Sequence, residues 1–80
     1  TMRYKFEKVK ERLRSSESDD CYVSFAIAAI ASDGKENKTV AYISDVSTDE
    51  GFVDSLVDKF NRFGLEPVHL PDMVADALDS

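Results

Sequence analysis

The residues of this chain that could do catalytic chemistry are one histidine and one nearby carboxylate. His69 lies in the segment GLEPVHLPDM (64–73) between two prolines, and Asp72 follows three residues later. An imidazole titrates near neutral pH, so His69 could act as a general base or a pH sensor beside that aspartate. The same segment is typical of a stiff hinge in which the imidazole packs over the start of a helix. Catalysis needs several converging groups and the sequence names only two, so we favour the hinge.

A second polar group lies where the last predicted strand meets the first predicted helix. Asp45, Thr48 and Asp49 are close together there, and a carboxylate at a strand end can hold a cation. The calcium-loop pattern of alternating acids followed by glycine is absent, and acids beside a helix N-terminus are what capping requires. We therefore interpret this group as structural. Together with His69 and Asp72, it forms the candidate site of an alternative hypothesis, a small-ligand binder or enzyme.

One cysteine and one histidine exclude the usual disulfide and zinc frameworks. A structural zinc site takes four Cys or His ligands and a catalytic site about three, so we expect no metal and no cofactor. Cys21 opens an apolar strand and is expected to be a small buried hydrophobe. The longest apolar run, YVSFAIAAIA (22–31), has about half the length that spans a bilayer. These features predict a cytoplasmic protein without a membrane segment.

The net charge of −6 hides a segregation of charge along the chain. Residues 1–14 hold six bases and two acids, a balance of +4, so residues 15–80 have a balance of −10. An acidic protein is repelled by polyanions, which argues against nucleic acid as a partner. The basic N-terminal stripe is expected instead to complement the acidic helices of its own fold or of a second copy.

Residues 3–14 fit two kinds of element. Their apolar residues Phe6, Val9 and Leu13 fall at helical spacing, and the Lys, Glu and Arg content suits a helix. As a strand, the segment shifts phase after Phe6 and would need a bulge before Val9. Alternating Lys and Arg would suit an exposed edge strand. The pattern alone leaves both alternatives open.

The next two segments have clear strand patterns. CYVSFAIAAIAS (21–32) is apolar on both faces, and Asp33-Gly34 predicts a hairpin that leads into TVAYISDV (39–46). If the helices cover only one face of the sheet, the other face is an apolar surface that suits an interface. The residues of this candidate interface are Tyr22, Ala26, Ala28 and Ile30.

Two helices are predicted after the strands. Ser47 and Glu50 have the spacing of a capping box at the start of the first helix. An apolar stripe follows, and Gly64 is placed to end this helix. The second, shorter helix begins at or next to His69. An acidic ridge on the exposed side of the first helix consists of Glu50, Asp54 and Asp58. We interpret the ridge as a solvated face, with the docking of a basic partner as the alternative.

Two motifs in the C-terminal half carry a resemblance to a known family. The matching residues are Ile43, Asp45, Val46, Ser47, Thr48 and Asp49, then Pro67, Val68, His69, Leu70, Asp72 and Val74. They are similar to the Ile-x-Asp-(Ile/Val)-Ser-Thr-Asp and Pro-(Ile/Val)-His-Leu-x-Asp motifs of a family of small bacterial proteins of clostridial type, a domain of unknown function. The resemblance is close over about half of the chain. It implies no function, but it favours a strand for residues 3–14.

We therefore predict a single α+β domain over residues 2–80, with Thr1 set aside as a cloning remnant. Its fold is a three-stranded antiparallel meander followed by two helices packed on one face. Because two helices cannot cover both faces of the sheet, the open face predicts a homodimer. We expect a small protein-interaction or regulatory module without catalytic activity, whose partner is another protein or a second copy of itself.

Overall fold

The computed structural model describes residues 3–18 and 20–79, so the predicted domain limits at residues 2 and 80 lie outside the described residues. The elements in chain order are β1 (Arg3–Arg14), β2 (Cys21–Ser32), β3 (Asn37–Ser47), α1 (Glu50–Phe63), a 3-10 turn (Pro67–His69) and α2 (Leu70–Asp79). The strands form one antiparallel sheet in the order β1-β2-β3, and both helices pack on it. The predicted α+β meander followed by two helices is confirmed. Within the described residues, no helix is long and apolar enough to cross a membrane.

The segment that the pattern left open, residues 3–14, is a regular strand. It pairs with β2 along its whole length without a shift of register, so the bulge expected between Phe6 and Val9 is absent. Side chains alternate along a strand, so Phe6 faces the helices and Val9 faces the other side. Lys8 takes the next helix-facing position. An apolar residue is not required there because the ammonium group pairs with carboxylates of α1.

The core lies between the sheet and the two helices. Phe25, Ile27 and Ala29 of β2 point to the helices, as alternate residues of one strand do. The rings of Phe6 and Phe60 meet edge to face with their centroids 5.7 Å apart, which ties β1 to α1. The buried core residues are Phe6, Phe25, Ile27, Ala29, Val46, Val53, Leu56, Phe60, Leu70 and Val74.

The start of α1 differs from the sequence prediction, because β3 continues through Ser47. The N-cap is Asp49, whose carboxylate accepts the Phe52 N–H at 3.2 Å. The Ser47 hydroxyl instead accepts the Asp49 N–H at 3.0 Å. The predicted capping box is therefore wrong. The end of the helix is as predicted, since Gly64 follows it with a left-handed φ of 64° that glycine adopts without steric cost.

A side chain from α1 covers part of the exposed edge of β1. The Asn61 side-chain oxygen accepts the Phe6 N–H at 2.8 Å, and its amide donates to the Phe6 carbonyl at 2.9 Å. This amide replaces the neighbouring strand that an edge residue lacks, so both backbone groups are satisfied. The edge is thereby closed at this point to pairing with another chain.

The expectation that Cys21 is buried is wrong, since the residue is exposed. It starts β2 at the end of the sheet, where the next two residues, Tyr22 and Val23, are also 36% and 37% exposed. Burial along β2 begins at Ser24. The strand pattern predicted the element correctly, but a strand that extends beyond the helices that cover it has exposed residues at its end.

Candidate functional site

The face of the sheet that turns away from the helices is exposed, and we call it the open face. Strand register fixes which residues share this face, because β2 alternates between the core and the open face. From β1 it takes Arg3, Lys5, Glu7, Val9, Glu11 and Leu13, from β2 Tyr22, Ser24, Ala26, Ala28, Ile30 and Ser32, and from β3 Thr39, Tyr42 and Ser44. Both helices pack on the opposite side.

The four residues predicted as an interface all lie on the open face. Tyr22 is 36% exposed and Ile30 is partly exposed. Ala26 and Ala28 are 0% and 5% exposed, although the helices lie on the other side of the sheet. Taller side chains on the same face shield them, such as Tyr42, which stands directly opposite Ala28. The alanines therefore form the floor of a shallow trough, and larger side chains form its walls.

Glu11 is the centre of a hydrogen-bonded cluster at one end of the open face. Its carboxylate accepts the Tyr42 hydroxyl at 2.7 Å, the Ser44 hydroxyl at 2.9 Å and the Asp45 N–H at 2.9 Å. The hydrogen bond from Tyr42 is the main cause that lowers the pKa of Glu11, and it also raises the pKa of Tyr42. The carboxylate is therefore ionised at neutral pH.

Asp45 extends this cluster from a bulge in β3. The strand has three residues (44–46) where β2 has only Ala26, and the extra length gives Asp45 a left-handed φ of 53°. Aspartate is one of the few residue types besides glycine that adopt this conformation readily. The carboxylate accepts the Tyr22 hydroxyl at 2.9 Å and the hydroxyl of fully buried Ser24. We call the combined cluster of Glu11, Tyr22, Ser24, Tyr42, Ser44 and Asp45 the polar network.

The other end of the open face is basic. A cleft of about 540 Å³ opens there, lined by Arg3, Tyr4, Lys5, Glu7, Ile30, Ser32 and Asn37. Lys5 lies 3.5 Å from Glu7, and its side chain is 71% exposed. The open face thus has two ends of opposite charge. We call the end with Arg3 and Lys5 the basic end, and the end with Glu11 and Asp45 the acidic end.

The acidic ridge of α1 is partly neutralised by β1 of the same chain. The Lys8 ammonium lies 2.8 Å from Asp54 and 2.7 Å from Glu50, and hydrogen bonds with Asp54 and then Glu50 raise the pKa of Lys8. Asp58 pairs with Arg62 at 2.9 Å. The prediction that the basic stripe complements acidic helices of its own fold or of a second copy is confirmed for Lys8, which pairs with α1 of its own chain. Because Glu50, Asp54 and Asp58 are paired within the chain, the ridge attracts a basic partner less than its sequence indicates.

The structure divides the sequence-predicted polar residues between the two sides of the sheet. Asp45 belongs to the polar network of the open face, whereas Asp49 caps α1 and Thr48 is exposed. His69 ends the 3-10 turn and Asp72 lies in the first turn of α2; both are exposed and belong to the segments on the helix side. Across residues 3–18 and 20–79, no hydrogen bond or ion pair joins the side chains of His69 and Asp72. The described ranges 3–18 and 20–79 also contain no group of three or more His, Cys, Asp or Glu that could hold a metal ion.

Sequence reasoning missed most of the polar network. Glu11 lay in a segment that the pattern left open between helix and strand. Once that segment is taken as a strand, the alternation of Val9, Glu11 and Leu13 places all three on one face. Tyr42 and Ser44 also alternate in β3, so the signal existed on each strand separately. These residues meet only through the register between the strands, and the alternation within a single strand does not determine that register.

The fold and the open face define a small α+β domain in which helices cover one side of a three-stranded sheet and leave the other exposed. The chain belongs to a family of unknown function (DUF6514), which it matches over residues 1–80. This confirms the resemblance to a domain of unknown function and extends it to the whole chain. No curated protein and no solved structure matches the chain.

Proposed function

We propose that this protein is a small non-catalytic interaction module that binds a protein partner with its open face. The observation that carries the proposal is that both helices pack on one side of the sheet, while the tyrosines of the other side are exposed above a floor of buried alanines. Tyr22 and Tyr42 stand on this side and are 36% and 45% exposed. Exposed aromatic and apolar surface with a polar rim is typical of protein interfaces.

The polar network supports this proposal because it orients both tyrosines before a partner arrives. Their hydroxyls are already donated, that of Tyr22 to Asp45 at 2.9 Å and that of Tyr42 to Glu11 at 2.7 Å. An aromatic side chain that is fixed in advance loses little conformational entropy on binding. The open face therefore has the preorganisation that a specific binding surface requires.

The same network favours binding over catalysis. The Ser24 hydroxyl donates to Asp45 without an imidazole between them, so the general base that activates a serine nucleophile is missing from this pair. The pKa of Glu11 is lowered, chiefly by the hydrogen bond from Tyr42, and a carboxylate of low pKa is a weak general base. The two carboxylates are better suited to orienting side chains than to moving protons.

We place the action of the module in the cytoplasm of a bacterium. The single cysteine is unpaired and exposed, which suits a reducing compartment. The resemblance to small bacterial proteins supports the source. Because the chain carries a net charge of −6, we expect its partner to be a protein and not a nucleic acid.

Affinity capture from the source cells tests the proposal with a matched pair of variants. Ala28→Lys places a long charged side chain on the floor of the open face. Ala75→Lys makes the same change at an exposed position of α2. We expect the wild type and Ala75→Lys to retain the same protein by mass spectrometry, and Ala28→Lys to lose it.

Circular dichroism of each variant first establishes that it is folded. Equal retention by Ala28→Lys and the wild type would show that the partner binds elsewhere. A partner lost only with His69→Ala would instead support the alternative hypothesis of a site around His69 and Asp72.

A further inference from the structure

We propose that the partner of the open face is a second copy of this chain. The two copies pack open face to open face with their strands antiparallel, so that the basic end of each lies over the acidic end of the other. This inference rests on the proposed function, because it names the occupant of the same surface.

The charges of the open face complement each other under a two-fold rotation. Lys5 at the basic end and Glu11 at the acidic end lie on the same strand, six residues apart, which corresponds to about 20 Å. A two-fold axis that runs across the strands reverses their direction and brings each end over the opposite end of the second copy. The alternative axis, along the strands, places like charges over like charges, and this disfavours it.

The strand register fixes where this axis lies. Lys8 and Ile27 stand directly opposite each other near the middle of the β1–β2 pair. Lys5 and Glu11 lie three residues to either side of Lys8. An axis at the level of Lys8 therefore places Lys5 of one copy over Glu11 of the second copy, and the same contact forms twice.

Small side chains at the centre allow the two sheets to approach. Ala26 and Ala28 lie one residue to either side of Ile27, so the axis brings Ala26 of one copy over Ala28 of the other. Packed sheets stand about 10 Å apart, with their side chains interdigitated. At that spacing, taller side chains of the open face, such as Tyr42 and Val9, fill the layer between the sheets beside the alanines that they shield in their own copy.

Glu11 has the capacity for this additional contact. A carboxylate has about four lone-pair positions. Three donor hydrogens of its own chain already use it, those of Tyr42, Ser44 and the Asp45 N–H, and the Ser44 hydroxyl shares its single hydrogen between the two carboxylate oxygens at 2.9 and 3.1 Å. The ammonium of Lys5 from the second copy supplies a fourth, and the Lys5 side chain is 71% exposed and so available for it.

The size of the open face fits a dimer that uses all of it. Three strands about 4.8 Å apart, with residues that rise about 3.3 Å each, cover roughly 14 by 40 Å, or about 560 Å² in projection. β1 and β2 each supply twelve residues to that length. A stable interface buries about 800 Å² of accessible surface on each partner, and the accessible surface of a corrugated face exceeds its projection. A partner must therefore cover both charged ends, as the antiparallel second copy does.

Complementary charge reversals test this arrangement. Lys5→Glu and Glu11→Lys each place like charges at both symmetry-related contacts, so each should weaken the homodimer about tenfold or more. In a mixture of the two variants, the heterodimer regains opposite charges at both contacts. Sedimentation equilibrium should therefore show tighter association in the mixture than in either variant alone.

Lys10→Glu is the matched control, because Lys10 is exposed on the same strand and alternates to the helix side. It should leave the dissociation constant of the wild type unchanged. Glu11→Lys disturbs the polar network, so circular dichroism must show that it is folded. If it is not, the comparison of Lys5→Glu with Lys10→Glu decides, and equal dissociation constants for the two would overturn the arrangement.

A wild type that stays monomeric up to millimolar concentration would overturn the second copy as the occupant. A dimer that the reversals do not weaken and the mixture does not restore would do the same. The proposed function fails by a different result, the capture of the same partner by Ala28→Lys and by the wild type.

Discussion

Asp45 lies in the β3 bulge and takes part in the polar network of the open face through both its carboxylate and its backbone N–H. Its left-handed φ of 53° places the carboxylate where two hydroxyls from β2 donate to it, those of Tyr22 and Ser24. The same residue gives its backbone N–H to Glu11. Asp45 thus links all three strands at the acidic end, and the shape of the open face there depends on one side chain.

Replacing Asp45 should therefore destabilise the fold as well as alter the surface. Asp45→Ala removes the acceptor of the buried Ser24 hydroxyl and a residue type that tolerates the left-handed conformation, so we expect a loss of about 1–3 kcal/mol in the free energy of unfolding. Asp45→Asn keeps an acceptor and the conformational preference, and should lose less. Urea unfolding measures both, and equal stability of the alanine variant and the wild type would contradict the role given to the bulge.

Glu11 should make stability depend on pH in the acid range. Its pKa in the folded protein lies below the ordinary 4.5, chiefly because Tyr42 donates to it, although desolvation and the charge of Asp45 oppose this shift. A lowered pKa gives stability that is present above 4.5 and is lost as the pH falls through the folded pKa.

Comparing the wild type with Glu11→Gln isolates this effect from the other carboxylates. The difference in unfolding free energy between the two proteins should be largest near neutral pH and should shrink as the pH falls below 4.5. A difference that stays constant over this range would mean that the ionised Glu11 carboxylate contributes nothing to stability.

Among the elements, α1 holds the sheet in two different ways. Its apolar stripe packs Val53, Leu56 and Phe60 into the core. Its polar side chains reach the edge strand, where Asn61 pairs with the Phe6 backbone and two carboxylates pair with Lys8. The helix therefore fixes the position of β1, and at Phe6 it blocks the pairing of a further strand with that edge of the sheet.

Asn61→Ala should lower the free energy of unfolding by about 1–2 kcal/mol, because two hydrogen bonds to partly buried backbone groups are lost at once. Ser55→Ala, at an exposed position of the same helix, is the control and should change stability by less than about 0.5 kcal/mol. The measurement is thermal or urea unfolding of both variants. A loss in Asn61→Ala no larger than in the control would show that the edge does not need the amide.

β2, β3, α1 and α2 could be predicted from the sequence, because each follows from a local pattern, whereas for β1 only the family resemblance favoured a strand over a helix. The alternation in residues 21–32, the hairpin signal at Asp33-Gly34 and the apolar stripe before Gly64 all produced the predicted elements. The phase of β1 could not be predicted, because Lys8 occupies a core-facing position that only distant carboxylates make tolerable.

The polar network could not be predicted from local sequence patterns either, for a related reason. It depends on a shift of register between β2 and β3, and on a glutamate from β1 that lies 31 to 34 residues from its partners in the chain. The N-cap at Asp49 depended likewise on how far β3 extends. Of the sequence-predicted residues, Tyr22 and Asp45 lie in the network, and the bulge that places Asp45 there has no clear signal in the sequence.

In the molecule as a whole, the two sides of the sheet differ in what packs on them and in the side chains that they carry. The helix side contains the core and the pairing of Lys8 with α1. The open side carries exposed tyrosines, an alanine floor and two ends of opposite charge. A domain of 80 residues buries a small core, so an additional covered face would also add to its stability.

The most direct test of this account is sedimentation equilibrium of the wild type, Ala28→Lys and Ala75→Lys, from micromolar to millimolar concentration. We expect the wild type and Ala75→Lys to shift from monomer to dimer as concentration rises, while folded Ala28→Lys stays a monomer. Association that is the same in all three proteins, or absent in all three, would contradict the claim that the open face binds a second copy.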